Sequence, residues 1–129
     1  MKLITPEIKQ RFLEIGNQED KQNPLVIAKF FSPVGGATWY ATEYDPETNI
    51  CFGYVKDLVP SENGIYDEWG YFSISELESL TLPFGLKIER DVHFNEIAFN
   101  ELVPPKPKKR KKELRDLTEQ KVNKIDIEL

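Results

Sequence analysis

Cysteine, histidine and methionine occur once each in this 129-residue sequence. The lone Cys51 excludes an internal disulfide and a cysteine-built zinc site. It fits a reducing cytoplasm better than an oxidising compartment. His93 is the sole histidine, so no Ser-His-Asp triad or Cys-His pair can be assembled without it. Ser32, Ser61, Ser73, Ser75 and Ser79 lie in no nucleophile-elbow motif, and Gly35-Gly36 belongs to no phosphate-binding loop. Apolar runs are only a few residues long, so no membrane span is expected. The opening MKLITPEIKQRF has no apolar stretch of secretory-signal length. The expectation is a cytoplasmic protein for which no catalytic residue, metal or cofactor is assigned.

What is present is the composition of a globular chain, 40% hydrophobic and 30% charged. The length suits one domain with one ordinary core. The net charge of -5 hides an asymmetry. Residues 1–103 hold 8 Lys and Arg against 17 Asp and Glu, a net -9; residues 104–129 hold 9 against 5, a net +4. We therefore divide the chain into a domain over 1–103 and a basic tail over 104–129. Such asymmetry points to a charged partner or self-association.

The strongest structural signal is residues 38–55, TWYATEYDPETNICFGYV. Two runs of aromatic and β-branched residues flank Asp45-Pro46-Glu47-Thr48-Asn49, which has the turn chemistry of a hairpin. Strict alternation puts Glu43 on the face of Trp39 and Ala41. Before the hairpin, Thr5-Pro6-Glu7 starts a helix, Ile8, Phe12 and Ile15 form its apolar stripe, and Gly16 stops it. Residues 18–23 read as a polar loop and 25–31 (LVIAKFF) as one continuous strand. After the hairpin, 59–68 read as a loop and 69–74 as a fourth strand, with Gly70 weakening it unless a bulge or close neighbour needs it. Ser75 and Glu78 form a capping box opening a short helix that ends before Leu82-Pro83. Residues 87–94 (KIERDVHF) alternate as a fifth strand, with Ile88, Arg90, Val92 and Phe94 on one face. The fold class is α+β: an antiparallel sheet of about five strands, an N-terminal helix, a short helix after the fourth strand and a C-terminal basic extension.

The segments KFFSP (29–33), TWYATEYDP (38–46), FG (52–53), GYFSISELE (70–78) and FGLKIERDVHF (84–94) occur in that order. Together they resemble the bacterial family called domain of unknown function 2958, over roughly residues 1–100. The resemblance implies a setting on plasmids and other mobile DNA, in some cases beside antirestriction or DNA-processing genes. It implies a fold and no established activity. The basic tail lies outside the family pattern.

Five residues form a candidate polar cluster: Glu43, Arg90, Glu76, Asp91 and His93. Arg90 on an apolar strand face needs a carboxylate or several carbonyls. Glu43 is its first expected partner and Glu76 its second, in a structural pair or a ligand-facing one. Glu89, Asp91 and His93 read as a solvated strand face; with Glu43 they would serve a metal-dependent nucleic-acid-processing enzyme. Cys51 reads as a small buried hydrophobe. Tyr40, Tyr44, Tyr54, Tyr66 and Trp69 suit core packing better than base stacking, because the domain carrying them is acidic.

The tail is the sharpest local signal. After PPKP, Lys106, Lys108, Lys109, Arg110, Lys111 and Lys112 place six positive charges in seven residues. That run suits phosphate contact without sequence reading. Residues 113–124 read as a helix with a loose apolar side, or the tail is a solvated, partly disordered extension that aids solubility or folds back on the acidic domain. The leading expectation is a non-enzymatic accessory or interaction protein of bacterial mobile elements, with an unknown protein partner and nucleic acid as a possible ligand of the tail. The alternatives are a DNA-mimic antirestriction inhibitor and the metal-dependent enzyme.

Overall fold

The computed structural model describes residues 1–59 and 66–105. The charged run Lys106, Lys108, Lys109, Arg110, Lys111 and Lys112 and the helix expected over 113–124 lie outside the described residues. Helix α1 spans Pro6–Ile15. Thr5 caps it by accepting from the Ile8 backbone N–H, Pro6 occupies the first turn, and Gly16 ends it at φ 70°. Strands β1 (Leu25–Val26), β2 (Ala28–Phe31), β3 (Thr38–Asp45), β4 (Ile50–Lys56) and β5 (Glu68–Ser73) follow. Helix α2 (Ile74–Ser79), a 3-10 turn at Pro83–Gly85, β6 (Glu89–Arg90), β7 (Ile97–Ala98) and helix α3 (Phe99–Leu102) complete the order.

Five strands form one antiparallel sheet in the order β5-β4-β3-β2-β6, and β1 pairs with β7 in a second, two-stranded sheet. The α+β class and the five-stranded sheet are as expected. Helices α1 and α2 bring Phe12, Ile74 and Leu77 into one core with Phe30, Trp39, Ala41, Cys51 and Ile88. The hairpin turn is tied to α2: Asn49, at φ 59°, accepts from Tyr44 Oη and donates through Nδ2 to Ser75 Oγ, both at 2.7 Å.

Four local expectations are corrected. Residues 25–31 are not one strand. At Ile27 the chain leaves the β1–β7 ladder for the β2–β3 ladder, and the Ile27 N–H donates to the Ala41 carbonyl at 2.9 Å. The fifth strand is cut to Glu89–Arg90 because Asp91 bends the chain. Its Oδ1 accepts from the His93 N–H at 3.0 Å and its carbonyl from the Phe94 N–H at 3.2 Å, a turn built by an aspartate. Val92 is accordingly exposed and does not share a core face with Ile88. The cap of α2 is Ser73, not Ser75: Ser73 Oγ accepts from the Glu76 N–H, which puts Ile74 and Leu77 on the buried side.

The β3–β4 pairing shifts between Ala41 and Glu43, an irregularity that places Glu43 opposite Phe52 and Tyr44 opposite Cys51. A bulge of this kind reverses the alternation after it. Glu43 therefore leaves the Trp39 face and joins Tyr40, Phe52 and Tyr54, while Tyr44 turns to pack on Phe12 with ring centroids 5.6 Å apart. Glu43 is not the partner of Arg90.

Candidate interaction site

The bulge is held by a residue from the loop after α1. Gln18 is 3% exposed. Its Nε2 donates to the carbonyls of Leu25 (2.9 Å) and Thr42 (2.8 Å), and its Oε1 accepts from the Leu25 N–H at 2.7 Å. Thr42 is turned inward and donates through Oγ1 to the Phe52 carbonyl at 3.2 Å. The extra residue in β3 leaves backbone groups without ladder partners, and Gln18 and Thr42 satisfy them. Gly53 lets the strands approach. A Cβ there would sit 1.9 Å from the Tyr40 carbonyl oxygen.

The sheet face opposite α1 and α2 is aromatic. Phe52 stacks on Trp69 at 5.9 Å with an interplanar angle of 18°, and Tyr71 lies 5.0 Å from Phe52. Trp69 and Tyr54 both meet Phe99 of α3, at 4.5 and 5.0 Å. These aromatics are paired with one another, as core packing requires, but the cluster is only partly covered. Trp69 is 37% exposed and Tyr71 80% exposed. Both lie on β5, the terminal strand of the sheet, and no described residue pairs with its outer edge.

Two concavities flank the Glu43–Phe52 pair. One, of about 310 Å³, is lined by Gln18, Glu43, Phe52, Trp69 and Phe99 among others. The other, of about 430 Å³, is lined by Phe12, Glu43, Tyr44, Phe52 and Tyr71 among others. Burial raises the Glu43 carboxyl above its ordinary value, the Gln18 backbone N–H opposes this, and the nearby Glu19 charge adds to the rise. Burial also raises the hydroxyls of Tyr40 and Tyr54, with carboxylates at Asp57 and Asp67 contributing. Desolvation pushes the buried Cys51 thiol far up, which leaves it a small hydrophobe.

The other sequence candidates lie elsewhere. Arg90 is opposite Phe30 in the sheet, and its Nη1 donates to the carbonyls of Lys2 (2.5 Å) and Leu3 (3.2 Å). It thus clasps the N-terminal segment, whose Leu3 is fully buried, and makes no ion pair with Glu43 or Glu76 among the described residues. Glu76 stands exposed in the first turn of α2. Asp91 pairs with Lys29 at 3.6 Å. Glu89, Arg90, Asp91 and His93 share the rim of a shallow cavity of about 350 Å³, which Glu43 does not reach. Among the described residues, no three of His, Cys, Asp and Glu are grouped so as to hold a metal ion. No described helix is long and apolar enough to cross a membrane.

A polar residue in a polar loop carries no burial signal, so the role of Gln18 is not legible in the sequence. Gly53, isolated inside a strand pattern, was the readable mark of the close approach.

A family model described as a protein of unknown function, DUF2958, matches residues 3–99. Neither a curated protein nor a solved structure matches the chain. The matched span contains the five-stranded sheet, the bulge with its Gln18 clasp and the aromatic face, and the chain belongs to the DUF2958 family of proteins of unknown function.

Proposed function

We propose that this protein is a non-enzymatic interaction protein that engages a polypeptide partner along its outer aromatic face and the β5 edge. The observation that carries the reading is the half-covered cluster of Phe52, Tyr54, Trp69 and Tyr71 at the terminal strand. Exposed tryptophan and tyrosine on a rigid sheet are the residues that dominate binding energy at protein interfaces. An unpaired strand edge adds backbone donors and acceptors to which a partner strand can pair. The acidic excess over residues 1–103 selects a partner face that is basic. The mobile-element setting implied by the resemblance makes a DNA-processing or defence protein the class of partner, and imitation of DNA would be one way of meeting it. In this reading the run from Lys106 to Lys112 contacts phosphate as a tether.

A photoreactive phenylalanine analogue at position 71, compared with one at the exposed Val92 just beyond β6, at the opposite end of the sheet from β5, tests the reading inside the producing cell. A discrete protein adduct at 71, absent at 92 and lost on adding Trp69→Lys, is the expected result. Equal labelling at both positions, or none at 71, overturns it.

A further inference from the structure

The concavity of about 310 Å³ beside Glu43 has the composition of a cation site. Phe52, Trp69 and Phe99, packed against one another, line its aromatic side. Glu43 and Glu19 supply two carboxylates. Neither carboxylate has an ion-pair partner among the described residues, and Lys21, which lines the same cavity, stays beyond ion-pair distance of both. Ring faces attract cations, and they do so more strongly where water is excluded. Burial raises the Glu43 carboxyl more than the Gln18 backbone N–H lowers it, and a bound cation would oppose that rise.

The chain carries the matching group. Phe99 and Asn100 of α3 line this cavity, and α3 ends at Leu102. Lys106 follows four residues later, a reach of at most ~14 Å when extended. Five further positive charges lie at 108–112. The two parts have opposite sign, -9 over residues 1–103 and +4 over 104–129. We propose that the cavity between Glu43 and the rings of Phe52, Trp69 and Phe99 is a cation cage that takes a lysine or arginine side chain of the chain's own 106–112 segment. The cage goes beyond the partner reading and does not depend on it. Its consequence is that the basic run is held against the domain until phosphate competes for it.

Carbodiimide coupling of the full-length protein tests the cage, because it joins a carboxylate only to an amine in contact with it. Digestion and mass spectrometry then identify the pair. The expected product is a monomer with an amide between Glu43 or Glu19 and one of Lys106, Lys108, Lys109, Lys111 and Lys112. Its yield should fall at least about fivefold in 1 M sodium chloride, where charges are screened beyond ~3 Å. Acrylamide quenching of Trp69 should rise in a full-length variant with all six charges changed to serine, while the buried Trp39 serves as the unquenched background. Three results overturn the proposal. They are coupling of Glu43 to Lys21 alone or to nothing, tail amides confined to covalent dimers, and tail coupling to Glu7 and Glu14 of α1 as often as to Glu43. Loss of the tail amide with the adduct at position 71 intact removes the cage only; the reverse removes the partner reading only.

Discussion

Replacing Gln18 by alanine should be among the most damaging single changes in this protein, although the residue sits in a polar loop. Its side chain makes three hydrogen bonds of 2.7 to 2.9 Å, two to Leu25 and one to Thr42. A net ~1 kcal/mol per bond gives a loss of about 3 kcal/mol. Leaving the Thr42 carbonyl buried without a partner works in the same direction, at ~1–3 kcal/mol, while Leu25, only partly buried, can recruit water. About 3–4 kcal/mol is therefore the expectation, a fall in Tm of roughly 12 to 25 °C for a domain of this size. Urea unfolding followed by circular dichroism measures it, with Gln22→Ala in the same loop as an exposed control expected within about 0.5 kcal/mol of wild type. Gln18→Met separates the causes, since it keeps the volume and removes every bond. If hydrogen bonding is responsible, the methionine variant loses nearly as much as the alanine variant. Stability of Gln18→Ala within about 0.5 kcal/mol of wild type would refute the claim that this side chain holds the bulge.

Gly53→Ala should cost about 1–3 kcal/mol or more, because its Cβ meets backbone 1.9 Å away instead of a side chain that can move; thermal unfolding reads this directly. Arg90→Met should lose roughly 1–2 kcal/mol by releasing the Lys2 and Leu3 carbonyls, with the adduct at position 71 unchanged. A loss of that adduct in a folded Arg90→Met protein would make Arg90 part of the interface. Glu43 has a raised carboxyl in the folded state, so the folded state holds this proton more tightly than the unfolded chain does. Stability is then lost as pH rises from the ordinary glutamate range near 4.5 through the folded value. In the variant with a neutral tail, Glu43→Gln should melt higher than its parent above that window and equally below it; equal melting at all pH values would contradict the assignment. The full-length protein should bind duplex DNA with a log-log salt slope near -5, as roughly six phosphate contacts require, and the six-serine variant should lose this.

Much of the fold was legible because its signals are local. Thr5, Pro6 and Gly16 mark the ends of α1 through the backbone groups they satisfy or the φ they permit. The turn over residues 45–49 marks the hairpin for the same reason. What failed was non-local. The identity of Glu43's face depends on which residue of β4 pairs with which of β3, and no residue of β3 announces the shift. The close neighbour expected at Gly70 is absent there, where an added Cβ would meet nothing within 4 Å, and is found instead at Gly53, against the Tyr40 carbonyl. Arg90 was correctly expected to need carbonyls or a carboxylate. That the carbonyls belong to Lys2 and Leu3, some 87 residues away, follows from packing of the N-terminal segment that no spacing encodes. The strands at 25–26 and 97–98 are too short for any periodicity to show and exist only as a pair.

One irregularity in β3 connects the structural and functional readings. Without the bulge, Glu43 would face the core beside Trp39, where a carboxylate without a partner is costly. The extra residue moves it to the aromatic face and turns Tyr44 inward onto Phe12. This exchange turns Tyr44 toward the α1 side and sets the Glu43 carboxylate among rings on the other. The exchange requires three supporting residues that a flat hairpin would not: Gln18 for the freed backbone groups, Thr42 as the inward polar residue, and Gly53 for the close approach. A fold selected for stability alone has no need of this arrangement, since regular pairing with an apolar residue at 43 would satisfy the same ladder. Bulges and buried polar groups that the surroundings must support are features that accumulate where a protein meets its ligand. In the proposed reading, the outer face around Glu43, and not Arg90 with its Lys2 and Leu3 carbonyls, is therefore where a partner would be met.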